Sequence, residues 1–161
     1  MGPVCGSKQV ETISGYLNIG LKEGASVAAG GERLSGPDYD LGCFIAPTVF
    51  TGVRPEMVIA REEIFGPVLA VISVPDFDEA VRVANNVDFG LTSSVYTRDL
   101  EKAMRFVDRI ETGMVHVNIM TAHREPAFSF GGVKDSGFGL PEAGQSGIEF
   151  FTEHKVVYVG Y

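Results

Sequence analysis

The chain has 161 residues, 45% of them hydrophobic and 21% charged, with a formal net charge of −8. That length suits one domain able to bury a core, and an acidic balance without a basic cluster argues against nucleic acid as a partner. No apolar run is long enough to cross a bilayer, the opening residues lack a signal peptide's pattern, and the two cysteines, Cys5 and Cys43, give neither a disulfide framework nor a zinc site, so a cytoplasmic protein without membrane contact is expected.

In chain order, Val10, Ile13, Leu17 and Leu21 share one helix face, with Ser7 as its cap and Gly24 as its stop. Strands are expected at 26–29 and 44–50, the second interrupted by Pro47 and so bulged or at an edge. A strand over 68–74 then opens a β-α-β-α-β succession that ends near Asn118, with later strands at 92–97 and 113–117. Its first helix starts at Asp76, boxed with Glu79, and carries the stripe Phe77, Ala80, Val81, Ala84 and Val87. Its second starts at Asp99 and carries Leu100, Ala103, Met104, Val107 and Ile110. This alternation predicts an α/β fold with parallel strands joined by right-handed crossovers. Residues 118–140 show no period. A connection that long is usually functional or disordered, and Phe128, Phe130, Val133 and Phe138 weigh against disorder. It also follows the carboxyl end of a predicted parallel strand, where open α/β sheets place ligands. A short helix near 141–150 and a strand over 155–159 close the chain.

Several catalytic schemes fail on spacing. There is no GxGxxG between a strand and a helix, no Walker A sequence and no G-x-S-x-G elbow. His116, His123 and His154 share no metal-ligand spacing, and His116 reads as a strand residue with its ring hydrogen-bonded. Cys5 has no base placed by sequence to activate it. The stretch "REEIFGPVLAVI", residues 61–72, is less easily dismissed. An acidic loop end followed by a Gly-Pro strand opening explains it blandly; a site that needs Glu63 and Phe65 at a strand mouth explains it functionally.

The runs "EEIFGPVLAV", "FGLTSSVYTRDLEKAMRFVDRIETGMVHVN", "FGGVKDSGFG" and "FFTEHKVVYV" decide between them. In order and spacing they resemble the C-terminal third of the NAD(P)-dependent aldehyde dehydrogenase superfamily, across nearly the whole chain. The resemblance implies a three-layer αβα fold with a mostly parallel sheet, residues 1–150 being part of the catalytic domain and 151–161 a strand of the oligomerisation region. It implies that Glu63 accepts from the nicotinamide-side ribose hydroxyls of NAD or NADP and that Phe65 packs beside the nicotinamide ring. It implies that Phe130 lines the aldehyde tunnel, that Asn118 ends the strand feeding it, and that His123 and Arg124 lie at its mouth. There Arg124 either pairs with a carboxylate on the substrate or is a solvated loop residue, while His123 with Glu125-Pro126 is instead similar to relatives acting on aromatic aldehydes. Gly131 and Gly132 let backbone pass close to neighbouring elements. Ser129 stands where the family more often has Pro, which implies a less rigid turn. The family's nucleophilic cysteine, general-base glutamate and Rossmann-type segment lie upstream of the matched pattern. The reaction needs a thiolate to attack the aldehyde, hydride transfer and thioester hydrolysis, so the chain alone is expected to be inactive. The expected partners are a homo-oligomer or an N-terminal portion. The alternative is a non-catalytic interaction module derived from such an enzyme.

Overall fold

The computed structural model describes residues 1–161, which compact into two units, Met1–Pro75 and Asp76–Tyr161. The architecture is α/β with mixed sheets.

The first unit comprises α1 (Gly6–Lys22), β1 (Ser26–Ala29), β2 (Thr48–Thr51), α2 (Val58–Arg61) and β3 (Val68–Ala70). Cys5, not Ser7, holds the cap position of α1, without a side-chain bond, and Ser7 lies inside the helix. Val10, Ile13 and Leu17 are buried as the spacing requires, but Leu21 is exposed and Gly20 is buried in its stead. The helix ends at Gly24 in a left-handed conformation, its N–H donating to the Leu21 carbonyl. The sheet runs β1-β2-β3, antiparallel in the first pair and parallel in the second. Pro47 lacks a donor for the ladder, so β2 starts at Thr48; upstream, Ile45 makes only an isolated bridge to Arg33. Ile13, Phe50, Met57 and Ile59 centre the core of this unit.

The second unit comprises α3 (Phe77–Asn85), β4 (Phe89–Gly90), β5 (Thr92–Val95), α4 (Leu100–Arg109), β6 (Met114–Val117), β7 (Val133–Lys134) and α5 (Gly144–Phe150). The β5-α4-β6 crossover yields a parallel pair, while β4 and β7 pair antiparallel. Both predicted aspartate caps form. The Asp76 carboxylate accepts the Glu79 N–H at 2.8 Å, and that of Asp99 accepts the Lys102 N–H at 3.1 Å. Glu79 does not complete the box; its side chain pairs with Arg82. Asp76→Ala and Asp99→Ala should each lower stability by about 1 kcal/mol, measurable by urea denaturation.

The stripe expected on α4 is rotated. Ala103, Phe106 and Ile110 are buried, whereas Leu100, Met104 and Val107 are exposed. Val81 of α3, Phe106 and Ile110 form a small core with Phe77, Val95 and Val115 against it. Asp78 bonds Arg105 at 2.9 Å and also Arg109, and the hydrogen bond from Arg109 holds its carboxyl below the ordinary aspartate range. The strand expected at 155–159 does not form. This segment has no ladder partner, and Val156, Val157, Tyr158 and Val159 are exposed. A strand exists only as one side of a pair, and apolar sequence alone cannot supply the other.

Candidate functional site

The loop that links α2 to β3 answers the question posed by Glu63 and Phe65. Ile64 turns inward and is 9% exposed, packed in the core with Ile13 and Phe50. Gly66 fits because a Cβ there would lie 2.5 Å from Ile13 Cδ1. Between these anchors Phe65 adopts a φ of +55°, a left-handed conformation that costs a bulky residue roughly 1–2 kcal/mol, and the residue is 77% exposed. Gln9 of α1 fastens the loop, its Nε2 donating to the carbonyls of Ile64 at 3.2 Å and Phe65 at 3.0 Å. The Glu62 carboxylate accepts the Tyr16 hydroxyl at 2.8 Å. That hydrogen bond, with burial and the Glu62 charge adding to it, pushes the Tyr16 pKa upward. Glu63 is exposed and takes part in no ion pair. A fixed backbone thus presents a carboxylate and, two residues on, an aromatic ring, both outward.

In the second unit a cavity of about 620 Å³ is lined by Met114, His116, His123, Arg124, Phe128 and Phe130, among others. It brings together three of the four residues expected along an aldehyde tunnel. The Arg124 guanidinium carbon lies 3.8 Å from the Phe130 ring centroid, a cation–π contact, and Arg124 takes part in no ion pair. His123 Nε2 lies 3.9 Å from Glu125 Oε1. Asn118 is not among the lining residues. It sits at the end of β6 with φ +56°, and its amide clasps Thr97 twice, accepting the Thr97 N–H at 2.8 Å and donating to its carbonyl at 2.8 Å.

The rear of the cavity is pinned to the start of α5. Phe130 and Glu142 exchange backbone hydrogen bonds of 2.6 and 2.8 Å. The hydroxyl of Ser129, which stands where the family more often has Pro, lies 2.7 Å from that of Ser146. Gly132 does let backbone pass closely: a Cβ there would collide with the Ser136 carbonyl oxygen. His116, read from the sequence only as a strand residue with a bonded ring, has that ring bonded and also lines the cavity. Gln9 had no legible signal, because its partners lie more than fifty residues away. Cys5 is exposed at the start of α1. No helix is long and apolar enough to cross a membrane.

Residues 1–157 match the family model described as the aldehyde dehydrogenase family. Over its full length the chain is 46% identical to alpha-ketoglutarate semialdehyde dehydrogenase of Haloferax volcanii, covering 34% of that protein. It is 40% identical to alpha-ketoglutaric semialdehyde dehydrogenase of Bacillus subtilis over 99% of its own length and 33% of the relative's. Among solved structures, Mycobacterium tuberculosis aldehyde dehydrogenase complexed with NAD+ matches at a TM-score of 0.90 and 40% identity, with 100% of this chain and 33% of that chain covered. The chain therefore spans about a third of the length of the curated relatives it matches. Matched along nearly all of its residues, the chain belongs to the aldehyde dehydrogenase family.

Proposed function

We propose that this chain is the C-terminal portion of an NAD(P)-dependent aldehyde dehydrogenase, which converts an aldehyde to a carboxylic acid. The observation that carries this reading is the outward pairing of Glu63 and Phe65 on a loop held by Ile64, Gly66 and Gln9. An exposed carboxylate can accept from two neighbouring ribose hydroxyls, and an exposed ring can lie against a flat heterocycle, so the residues present fit a nicotinamide nucleotide. When bound, the nucleotide supplies the hydride acceptor. Glu63 orients the ribose, and Phe65 sets the plane of the ring. The solved relative that holds NAD+ supports this nucleotide; NADP is retained beside it.

In the same reading the cavity around Phe130 receives the aldehyde. His123 and Arg124 border it, and Asn118 steadies the chain entering it through its clasp on Thr97. The nucleophilic thiol and general base come from another portion of the enzyme, so the chain alone is inactive. The exposed Phe150, Phe151, Val156, Val157, Tyr158 and Val159 support association with that portion or with a second copy of the chain.

A chimera joining the N-terminal two-thirds of the Bacillus subtilis relative to this chain tests the proposal. The chain alone should show no aldehyde oxidation with NAD+ or NADP+, and the chimera should show it. Turnover by the chain alone that vanishes in Cys5→Ala, or a folded chimera with neither turnover nor nucleotide binding, would overturn the reading. Specificity is tested separately. The Arg124 guanidinium, which takes part in no ion pair, suits a carboxylate, and two relatives are named for the semialdehyde of a dicarboxylic acid. Arg124→Ala in the chimera should raise KM about tenfold for carboxylate-bearing aldehydes, the loss of one charge-assisted hydrogen bond. Neutral aldehydes should be unaffected; an equal rise for both would remove the pairing, and a preference for aromatic aldehydes would favour a role for His123 and Glu125 instead.

A further inference from the structure

The cavity wall that carries His123 and Arg124 is a loop without regular structure, yet its backbone is not left to itself. Three side chains of the parallel pair reach out to it. Ser94 Oγ donates to the Ile119 carbonyl at 2.6 Å, Thr92 Oγ1 to the Thr121 carbonyl at 3.4 Å, and His116 Nε2 lies 3.2 Å from the His123 carbonyl. Thr92 and Ser94 are two apart on β5 and so share a face, and His116 is the register partner of Ser94 on β6. The carbonyls they meet are also two apart in sequence. One sheet face therefore grips every second carbonyl over residues 119–123.

His116 carries the most weight in this grip. Thr92 Oγ1 can donate to Nδ1, and the tautomer this selects carries its proton on Nε2, which donates to the His123 carbonyl; in the other tautomer Nδ1–H would donate to the Ser93 carbonyl instead. The other nitrogen, Nδ1, lies 3.3 Å from Thr92 Oγ1 and 3.2 Å from the Ser93 carbonyl. The single Thr92 proton cannot go to both Nδ1 and the Thr121 carbonyl, so the middle of the grip is its weakest point. The His116 bond is the one that fixes the residue next to Arg124. It is also the only one of the three whose side chain lines the cavity itself.

We propose that His116, with Ser94 and Thr92, is a positioning residue for aldehyde recognition: by holding the His123 carbonyl it sets where Arg124 meets the substrate. This rests on reading the cavity as the aldehyde site. His116→Leu keeps much of the side-chain volume and removes the donor; His116→Gln restores an N–H at a similar reach. In the chimera, His116→Leu should raise the aldehyde KM about tenfold while the nucleotide KM stays unchanged, and His116→Gln should recover most of the loss. An unchanged aldehyde KM in His116→Leu, or the same loss in both variants, would overturn the proposal. Hydrogen exchange on the chain alone separates this from failure of the functional reading. The His123 amide, which donates to the Met120 carbonyl at 3.1 Å, should exchange faster in His116→Leu while the amides of β5 and β6 keep their protection. Unchanged exchange at His123 would show that His116 does not hold the loop, whatever the chimera does.

Discussion

Glu63→Ala in the chimera should raise KM for NAD+ by roughly ten- to a hundredfold. The carboxylate has no partner within its own unit, so its removal leaves no buried charge behind and relaxes no packing. On the proposed reading, what is lost is charge-assisted hydrogen bonding to the ribose, about 1.5–3 kcal/mol per bond, part of which water restores at an exposed site, and each 1.4 kcal/mol is a factor of ten. Because the ribose grip also orients the ring, kcat should fall as well. Glu63→Gln keeps one acceptor oxygen and should lie between the two. Thermal stability should be the same in all three proteins, since the side chain is exposed. A KM for NAD+ within twofold of the parent in Glu63→Ala would exclude this residue from the nucleotide site.

The largest stability effect is expected at Phe50. It is fully buried at the centre of the first unit, on β2, against Gly20 of α1. Phe50→Ala should cost about 3–5 kcal/mol through lost transfer energy and an unfilled cavity. That is a large fraction of the 5–15 kcal/mol by which a typical domain is stable. The same core holds Ile64, so the Glu63–Phe65 loop should lose its shape with it. Leu69, on the same sheet but 58% exposed, is the matched control, and Leu69→Ala should change stability by less than about 0.5 kcal/mol. Urea denaturation followed by circular dichroism reads both. Equal, small losses would mean that the packing around Phe50 does not hold the unit together.

These two residues mark the limits of what the sequence discloses. Phe50 was visible as an apolar strand residue, because burial follows from period and composition. The position of α1 was equally legible, yet not which residue completes its face. Ile59 closes on Gly20, where a Cβ would lie 2.9 Å from Ile59 Cδ1, so the helix turns Leu21 outward. On α4 two apolar stripes fit helical spacing, 100–104–107 and 103–106–110. Only the fold shows that the second faces the core. The caps at Asp76 and Asp99 were legible because their bonds span three residues. The strand expected over 155–159 is absent because the segment has no ladder partner, and the need for one cannot be read from its own residues.

For the site the same division holds. Glu63, Phe65, Phe130, His123 and Arg124 were singled out by resemblance of motifs, and the structure adds how the backbone presents them. Phe65 faces outward because Ile64 and Gly66 are committed to the core on either side. The hold of His116 and Ser94 on the 119–123 backbone left no sequence signal. Bonds from side chains to distant carbonyls carry no period and no motif.

The most direct measurement is a crystal structure of the chimera with NAD+ bound. Both Glu63 carboxylate oxygens should lie within about 2.5–2.7 Å of the hydroxyls of the nicotinamide-side ribose, with the Phe65 ring against the nicotinamide. A nucleotide bound with Glu63 still in solvent and Phe65 away from the ring would contradict it.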